Sequence, residues 1–137
     1  MTPPAFSIFA ALSELVVTAI VYYTIVSHLR GKPFRYKLLG FAILFEAVVN
    51  VSYMVTRFIG AESPVHLSAQ IKLFATVHGT FSMLVFIWLI ILFFLASSSA
   101  KLEQNFFRDH RLMTYVFLFL WGVSVASGEL MFLMVYL

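Results

Sequence analysis

Five polar side chains, able in principle to exchange protons or to bind a metal ion, lie inside stretches of sequence that are otherwise apolar. They are Glu14, Glu46, Asn50, His78 and Glu129. Three of the six acidic residues of the chain belong to this set. If the apolar stretches cross a bilayer, an ionised side chain near its centre costs about 2.5–3.5 kcal/mol and needs a partner, a proton or water. These five residues are therefore the candidate site.

Their spacing predicts that the five side chains lie together in one buried polar cluster. Glu46 and Asn50 are four residues apart, which places them on the same face of a helix. At a rise of about 1.5 Å per residue, Glu14 lies about eight residues from the outer end of its helix and Asn50 about nine. Glu129 lies about seven or eight residues in, and His78 about ten. Each predicted helix thus contributes a polar group at a similar depth.

Three functions fit such a cluster. The side chains could simply hold the helices together through interhelical hydrogen bonds, with protonated carboxyls and a neutral imidazole. Three carboxylates and one imidazole could instead ligate a divalent metal ion, although the Glu-x-x-His pairs of di-iron bundles are absent. A proton relay or a quinone pocket is the third alternative.

Two further histidines, His28 and His110, lie at the predicted cytoplasmic ends of the first and last helices. Together with His78 they are the candidate ligands for a haem or a metal ion, although a histidine beside Arg and Lys at a membrane surface is more often solvated. His78 has no second membrane histidine at its own depth, which disfavours a bis-histidine haem in the bilayer centre. The cofactor, if any, therefore stays unknown, with haem and a metal ion as the candidates.

The elements that position these residues are transmembrane helices. Hydrophobic residues make up 62% of the 137 residues and charged residues 11%, against about 45–50% and about 25% in soluble domains. The chain has no cysteine, which excludes disulfides and thiolate metal sites. Four stretches reach the ~20 residues that a membrane helix needs. They are predicted at residues 6–28, 37–59, 68–97 and 111–136. The predicted fold is all-α, one transmembrane domain over 1–137 that forms a four-helix up-down bundle.

The distribution of basic residues predicts the orientation. Seven of the nine Lys and Arg residues lie in the loops 29–37 and 97–111, and only Arg57 and Lys72 lie on the opposite side. The positive-inside rule then makes these two loops cytoplasmic and places the N-terminus and the C-terminus outside. We expect a multi-pass protein of the cell inner (cytoplasmic) membrane. Because the charges flank apolar spans, they do not indicate a nucleic-acid partner.

The last third of the chain resembles the CtaM/YozB-like family of small four-helix bacterial membrane proteins, most strongly over residues 77–137. The residues that carry the resemblance are His78, His110-Arg111, Trp121, Ser127-Gly128, Phe132, Met134 and Tyr136. The chain departs from the family at the start of the second helix, where Phe34-Arg35-Tyr36-Lys37 replaces a histidine-containing segment. It departs again at Glu129, where the family is apolar.

The resemblance implies a small accessory or assembly protein of the respiratory chain, linked to haem–copper oxidase maturation, with functional roles for His78 and His110. Its expected partners are the lipid bilayer and a larger membrane protein complex or a homo-oligomer. The residues leave two alternatives open: a small proton-coupled transporter or proton-conducting protein that uses the buried Glu/His cluster, and a haem- or quinone-binding redox subunit. No nucleophile–base pair or phosphate-binding glycine loop makes a case for an enzyme, and no catalytic residue is assigned.

Overall fold

The computed structural model describes residues 5–58 and 69–136, and these residues form helices and short connections, with no strand. The helices are α1 (Ala5–Leu29), α2 (Tyr36–Phe58), α3 (Ala69–Lys101), α4 (Phe106–Asp109) and α5 (Arg111–Tyr136). The predicted all-α fold is confirmed. The predicted connection at 59–68 lies outside the described residues. The molecule has two ends: the terminal end, where α1 begins and α5 finishes, and the loop end, which carries residues 30–35 and 102–110.

Three stretches of the described residues are long and apolar enough to cross a membrane: Ile8–Leu29, Leu73–Lys101 and Arg111–Met134. They belong to α1, α3 and α5. Each has at least the ~20 residues required to span a hydrocarbon core of about 30 Å. A membrane protein follows from these three helices, whereas the crossing of α2 stays a prediction.

The four long helices pack side by side through faces set by helical periodicity. α1 packs against α2 and α5, while α3 packs against α5 and makes a smaller contact with α2. On α1 the buried residues Val17, Val21 and Ile25 recur every four positions. On α3, Leu89 and Leu92 are equally buried. Because lipid tails are as apolar as these side chains, the helices gain mainly van der Waals contact and interhelical hydrogen bonds when they pack.

Side-chain burial is concentrated in the half of the molecule nearer the loop end. Beyond Val17, Val85 and Val125 towards the terminal end, none of the described side chains of α1, α3 and α5 is buried. The fully buried aromatic residues, Phe107 and Phe117, lie in the loop-end half. The loop-end half is therefore densely packed, and the described side chains of α1, α3 and α5 in the terminal half are less buried.

The connection predicted at 97–111 is more ordered than its sequence indicates. α3 continues through the serine run to Lys101, and the one-turn helix α4 follows. Asn105 caps α4 by accepting a hydrogen bond from the Arg108 amide at 3.0 Å, and it donates one to the His28 carbonyl at 2.5 Å. Arg108 donates to the Leu29 carbonyl at 3.1 Å. These contacts hold α4 against the end of α1, so tertiary hydrogen bonds stabilise a helix too short to form alone.

Candidate functional site

Two carboxyl side chains from different helices meet in the interior of the molecule. Glu14 of α1 is partly buried, and Glu46 of α2 is 3% exposed. Their carboxyl groups are close enough to interact with each other. Because an ionised carboxylate can only accept hydrogen bonds, the two groups can bond to each other only when one of them carries a proton. The pair is therefore a candidate site for a proton between α1 and α2.

Neighbouring polar groups fix the position of each member of the pair. One turn along α2, the Asn50 side-chain amide donates a hydrogen bond to Glu46 Oε1. On α1, the Thr18 hydroxyl donates to the Glu14 backbone carbonyl at 2.8 Å. The Trp121 indole of α5 donates in turn to Thr18 Oγ1 at 3.2 Å. These bonds orient the Glu46 carboxyl and attach the Glu14 segment of α1 to α5.

Glu129 of α5 completes a group of three carboxyls. It is partly buried and lies close enough to Glu14 for their charges to interact. The structure thus brings together four of the five residues singled out in the sequence: Glu14, Glu46, Asn50 and Glu129. They come from three helices. Glu14, Glu46 and Glu129 are the acidic residues that the sequence places within apolar stretches. We call these four residues the carboxyl cluster.

His78 lies in a second polar group, between α3 and α5. Its Nδ1 is 2.6 Å from the Ser127 hydroxyl oxygen, and that hydroxyl donates to the Ser124 carbonyl at 2.8 Å. Because the Ser127 hydroxyl donates to that carbonyl, its oxygen can accept a hydrogen bond from Nδ1, while Nε2 lies 3.4 Å from Ser82 Oγ. Ser82 and Ser124 share a further hydrogen bond of 2.6 Å across the same two helices. We call His78, Ser82, Ser124 and Ser127 the His–Ser group.

Gly128 allows the His78 ring to approach α5. A Cβ at this position would lie 3.0 Å from Cε1 and 3.1 Å from Nε2 of His78. Gly122 plays the same role for Tyr22, whose hydroxyl would be 2.8 Å from such a Cβ and donates to the Leu118 carbonyl at 2.6 Å. From the sequence, Ser127 and Gly128 were singled out only as residues that carry the family resemblance, and not as a contact face of α5 with Ser124. Its signal is the recurrence of small residues at helical spacing, which is typical of close helix contacts in membranes.

The two remaining candidate histidines lie in the loop-end half and differ in exposure. His28 is 7% exposed and packs against Phe34 and Phe107, with ring centroids 5.2 and 6.0 Å away. Its Nδ1 donates a hydrogen bond to the Lys32 carbonyl at 2.8 Å. Its Nε2 is buried without a hydrogen-bond partner. His110 is exposed, stacks on Phe106 at 4.3 Å and donates to the carbonyl of the same residue at 3.0 Å.

These positions bear on the metal and haem candidates. Across residues 5–58 and 69–136, no group of three or more His, Asp or Glu side chains is arranged to hold a metal ion. In His28 and His110, Nδ1 bonds to a backbone carbonyl, so Nε2 is the nitrogen that could bind a metal ion or haem. In His78, Nε2 lies 3.4 Å from Ser82 Oγ.

Comparisons of the chain with protein-family models, with curated proteins and with solved structures found no match.

Proposed function

We propose that this chain is a four-helix integral membrane protein in which the Glu14–Glu46 pair binds and releases a proton, as in a small proton-coupled transporter or proton-conducting protein. The observation that carries the proposal is the proximity of two carboxyl groups from different helices, one of them 3% exposed, within apolar surroundings. In such surroundings two neighbouring carboxyl groups are stable together only while the pair holds a proton. Loss of that proton leaves two carboxylates in contact, and their repulsion favours separation of α1 from α2.

A purely structural role would not require carboxyl groups here. Amide or hydroxyl side chains make interhelical hydrogen bonds in membranes without the risk of carrying a charge. A carboxyl pair adds one property that those groups lack, which is an exchangeable proton. Ionisable residues inside membrane spans are for this reason functional candidates.

The packing around the pair favours proton exchange at the terminal end. On the loop-end side of Glu14 and Glu46, the inward faces of α1 and α2 are filled by Val17, Val21 and Ala42, each at most 2% exposed. On the opposite side, the described part of α1 has no buried side chain, and the described part of α2 has Val49, which is 9% exposed. A closed apolar layer on one side supports proton conduction that requires the helices to rearrange, over an open pore.

The proposed topology has four crossings, with α2 as the fourth and both chain ends outside. Its support is the position of the basic residues at the loop end. They are Arg30, Lys32, Arg35, Lys37, Lys101, Arg108 and Arg111. Positive charges of this kind are typically retained on the cytoplasmic side. With this orientation the carboxyl cluster exchanges protons with the outside of an inner (cytoplasmic) membrane.

Proton flux into liposomes tests the proposal. Wild-type protein should acidify the lumen of liposomes when the external pH is lowered, and Glu14→Gln and Glu46→Gln should reduce the rate at least tenfold. Glu103→Gln is the matched control, because it removes one exposed carboxyl at the loop end and should leave the rate unchanged. Flux no greater than that of empty liposomes, at either sign of the membrane potential, would contradict the proposal.

A second candidate function is the accessory role in haem–copper oxidase maturation. What supports it is that three residues carrying the family resemblance, His78, Ser127 and Gly128, form one packed contact between α3 and α5. This role predicts co-purification with a terminal oxidase. It also predicts that oxidase maturation fails in Gly128→Leu cells and is normal in Glu46→Gln cells.

A further inference from the structure

A shallow, open cleft lies on the surface at the loop end, where the first connection enters α2. It has a volume of about 290 Å³ and is lined by the five consecutive residues Phe34, Arg35, Tyr36, Lys37 and Leu38. Phe34 is buried and the other four are exposed. The cleft lies far along α2 from Glu46 and Asn50, so it is distinct from the carboxyl cluster.

Two cationic side chains border this cleft, each lying over an aromatic ring. The Arg35 guanidinium lies 5.3 Å from the centroid of the Tyr23 ring, and the Lys37 ammonium lies 6.0 Å from that of Tyr36. Cation–π contacts of this kind restrain a charged group without neutralising it. Both charges thus remain available to an anion.

The apolar surface that continues from the cleft indicates which kind of anion fits. Leu38, Phe41, Leu44 and Val48 are exposed on successive turns of α2, with Phe41 65% and Leu44 64% exposed. This face leads from the cationic cleft towards the middle of the helix. A free phosphate ion would use only the cleft, whereas a phospholipid would use both the cleft and the apolar face.

We propose that this cleft binds the phosphate headgroup of an anionic phospholipid, with an acyl chain along the exposed face of α2. Basic residues beside membrane helices recognise anionic lipid headgroups, and tyrosines are enriched at the same level of the bilayer. The proposal rests on the proposed function only for the placement of the chain, including α2, in a membrane. It does not depend on proton exchange by the carboxyl cluster.

Native mass spectrometry of delipidated protein in detergent tests this site. Phosphatidylglycerol should bind at one equivalent, and phosphatidylcholine with the same acyl chains should bind at least tenfold more weakly. Since each Lys or Arg near a membrane surface contributes about fivefold in affinity, the double variant Arg35→Gln/Lys37→Gln should bind phosphatidylglycerol about 25-fold more weakly. All substituted side chains are exposed, and circular dichroism checks that the variants are folded.

The matched control is Lys101→Gln/Arg111→Gln, which removes two exposed charges from the same end but outside the cleft. It should bind phosphatidylglycerol within twofold of the wild type. An equal loss in both double variants would overturn the proposal, because it would indicate diffuse surface charge. Equal binding of the two lipids would overturn it as well. Inorganic phosphate that competes at the affinity of phosphatidylglycerol would show a site for the free ion rather than for a lipid.

Discussion

Alanine substitution of two helix glycines separates close helix packing from helix propensity. Gly79 and Gly128 lie in α3 and α5. An alanine Cβ at Gly79 would meet no atom within 4 Å, whereas at Gly128 it would lie 3.0 Å from the His78 ring. In both helices alanine gains about 0.5–1 kcal/mol of intrinsic propensity over glycine. At position 79 this gain stands alone, so Gly79→Ala should stabilise the protein by that amount.

At position 128 the gain is opposed by a steric conflict. The imidazole must move by a few tenths of an ångström or more, and it is held by its 2.6 Å hydrogen bond to Ser127. Overpacking typically costs about 1–3 kcal/mol, and loss of an interhelical hydrogen bond in a membrane about 0.6 kcal/mol. Net of the propensity gain, Gly128→Ala should destabilise the protein by about 1–2 kcal/mol.

Reversible unfolding in mixed micelles, followed by circular dichroism, measures both variants under the same conditions. The two substitutions should change the free energy of unfolding in opposite directions, with a difference of about 2 kcal/mol between them. The variant His78→Ala completes a double-mutant cycle. In the His78→Ala background, Gly128→Ala should no longer destabilise the protein, because the ring is absent. If Gly128→Ala stabilises the protein as much as Gly79→Ala does, His78 does not pack on α5 as described.

Two further predictions concern the loop end and access to the carboxyl cluster. Asn105→Ala removes both the cap of α4 and the hydrogen bond to the His28 carbonyl. It should lower the free energy of unfolding, measured by the same assay, by about 1–2 kcal/mol. The control Gln104→Ala, at an exposed position, should leave the free energy of unfolding unchanged. Because the chain has no cysteine, a single cysteine introduced in place of Glu14 can be tested for reaction with a charged, water-soluble thiol reagent. The cysteine at position 14 should react, whereas one in place of the fully buried Val21 should not. Equal reaction rates would contradict proton access from the terminal end.

The sequence was sufficient to predict where the helices lie, because the hydropathy of each stretch follows directly from the residues that it contains. It also placed Glu46 and Asn50 on one face, since a spacing of four residues means one helical turn. Both inferences depend only on local geometry. The structure agrees with them in the bounds of α1 and α2, which differ from the predicted bounds by one residue at every end.

What the sequence could not determine is how each helix is rotated and which helix it faces. His78 was grouped with the carboxyls because it lies at a similar depth, yet it turns towards Ser127, where Gly128 provides room. Helix rotation of this kind is set by contacts between helices rather than by depth. The helix α4 was missed for a related reason, because its four residues have no periodicity to detect and depend on the bond from Asn105 to His28.

The position of α5 links the two polar groups and separates the two candidate functions. Trp121 and Glu129 face α1, while Ser127 and Gly128 face α3. Glu46→Gln changes the carboxyl cluster and leaves the His–Ser group intact. Gly128→Ala changes the His–Ser group and leaves the carboxyl cluster intact. Proton coupling therefore predicts a large functional defect for Glu46→Gln, since a glutamine amide has no titratable proton. An accessory role that depends on His78 predicts the larger defect for Gly128→Ala, and equal defects would mean that movement of α5 couples the two groups.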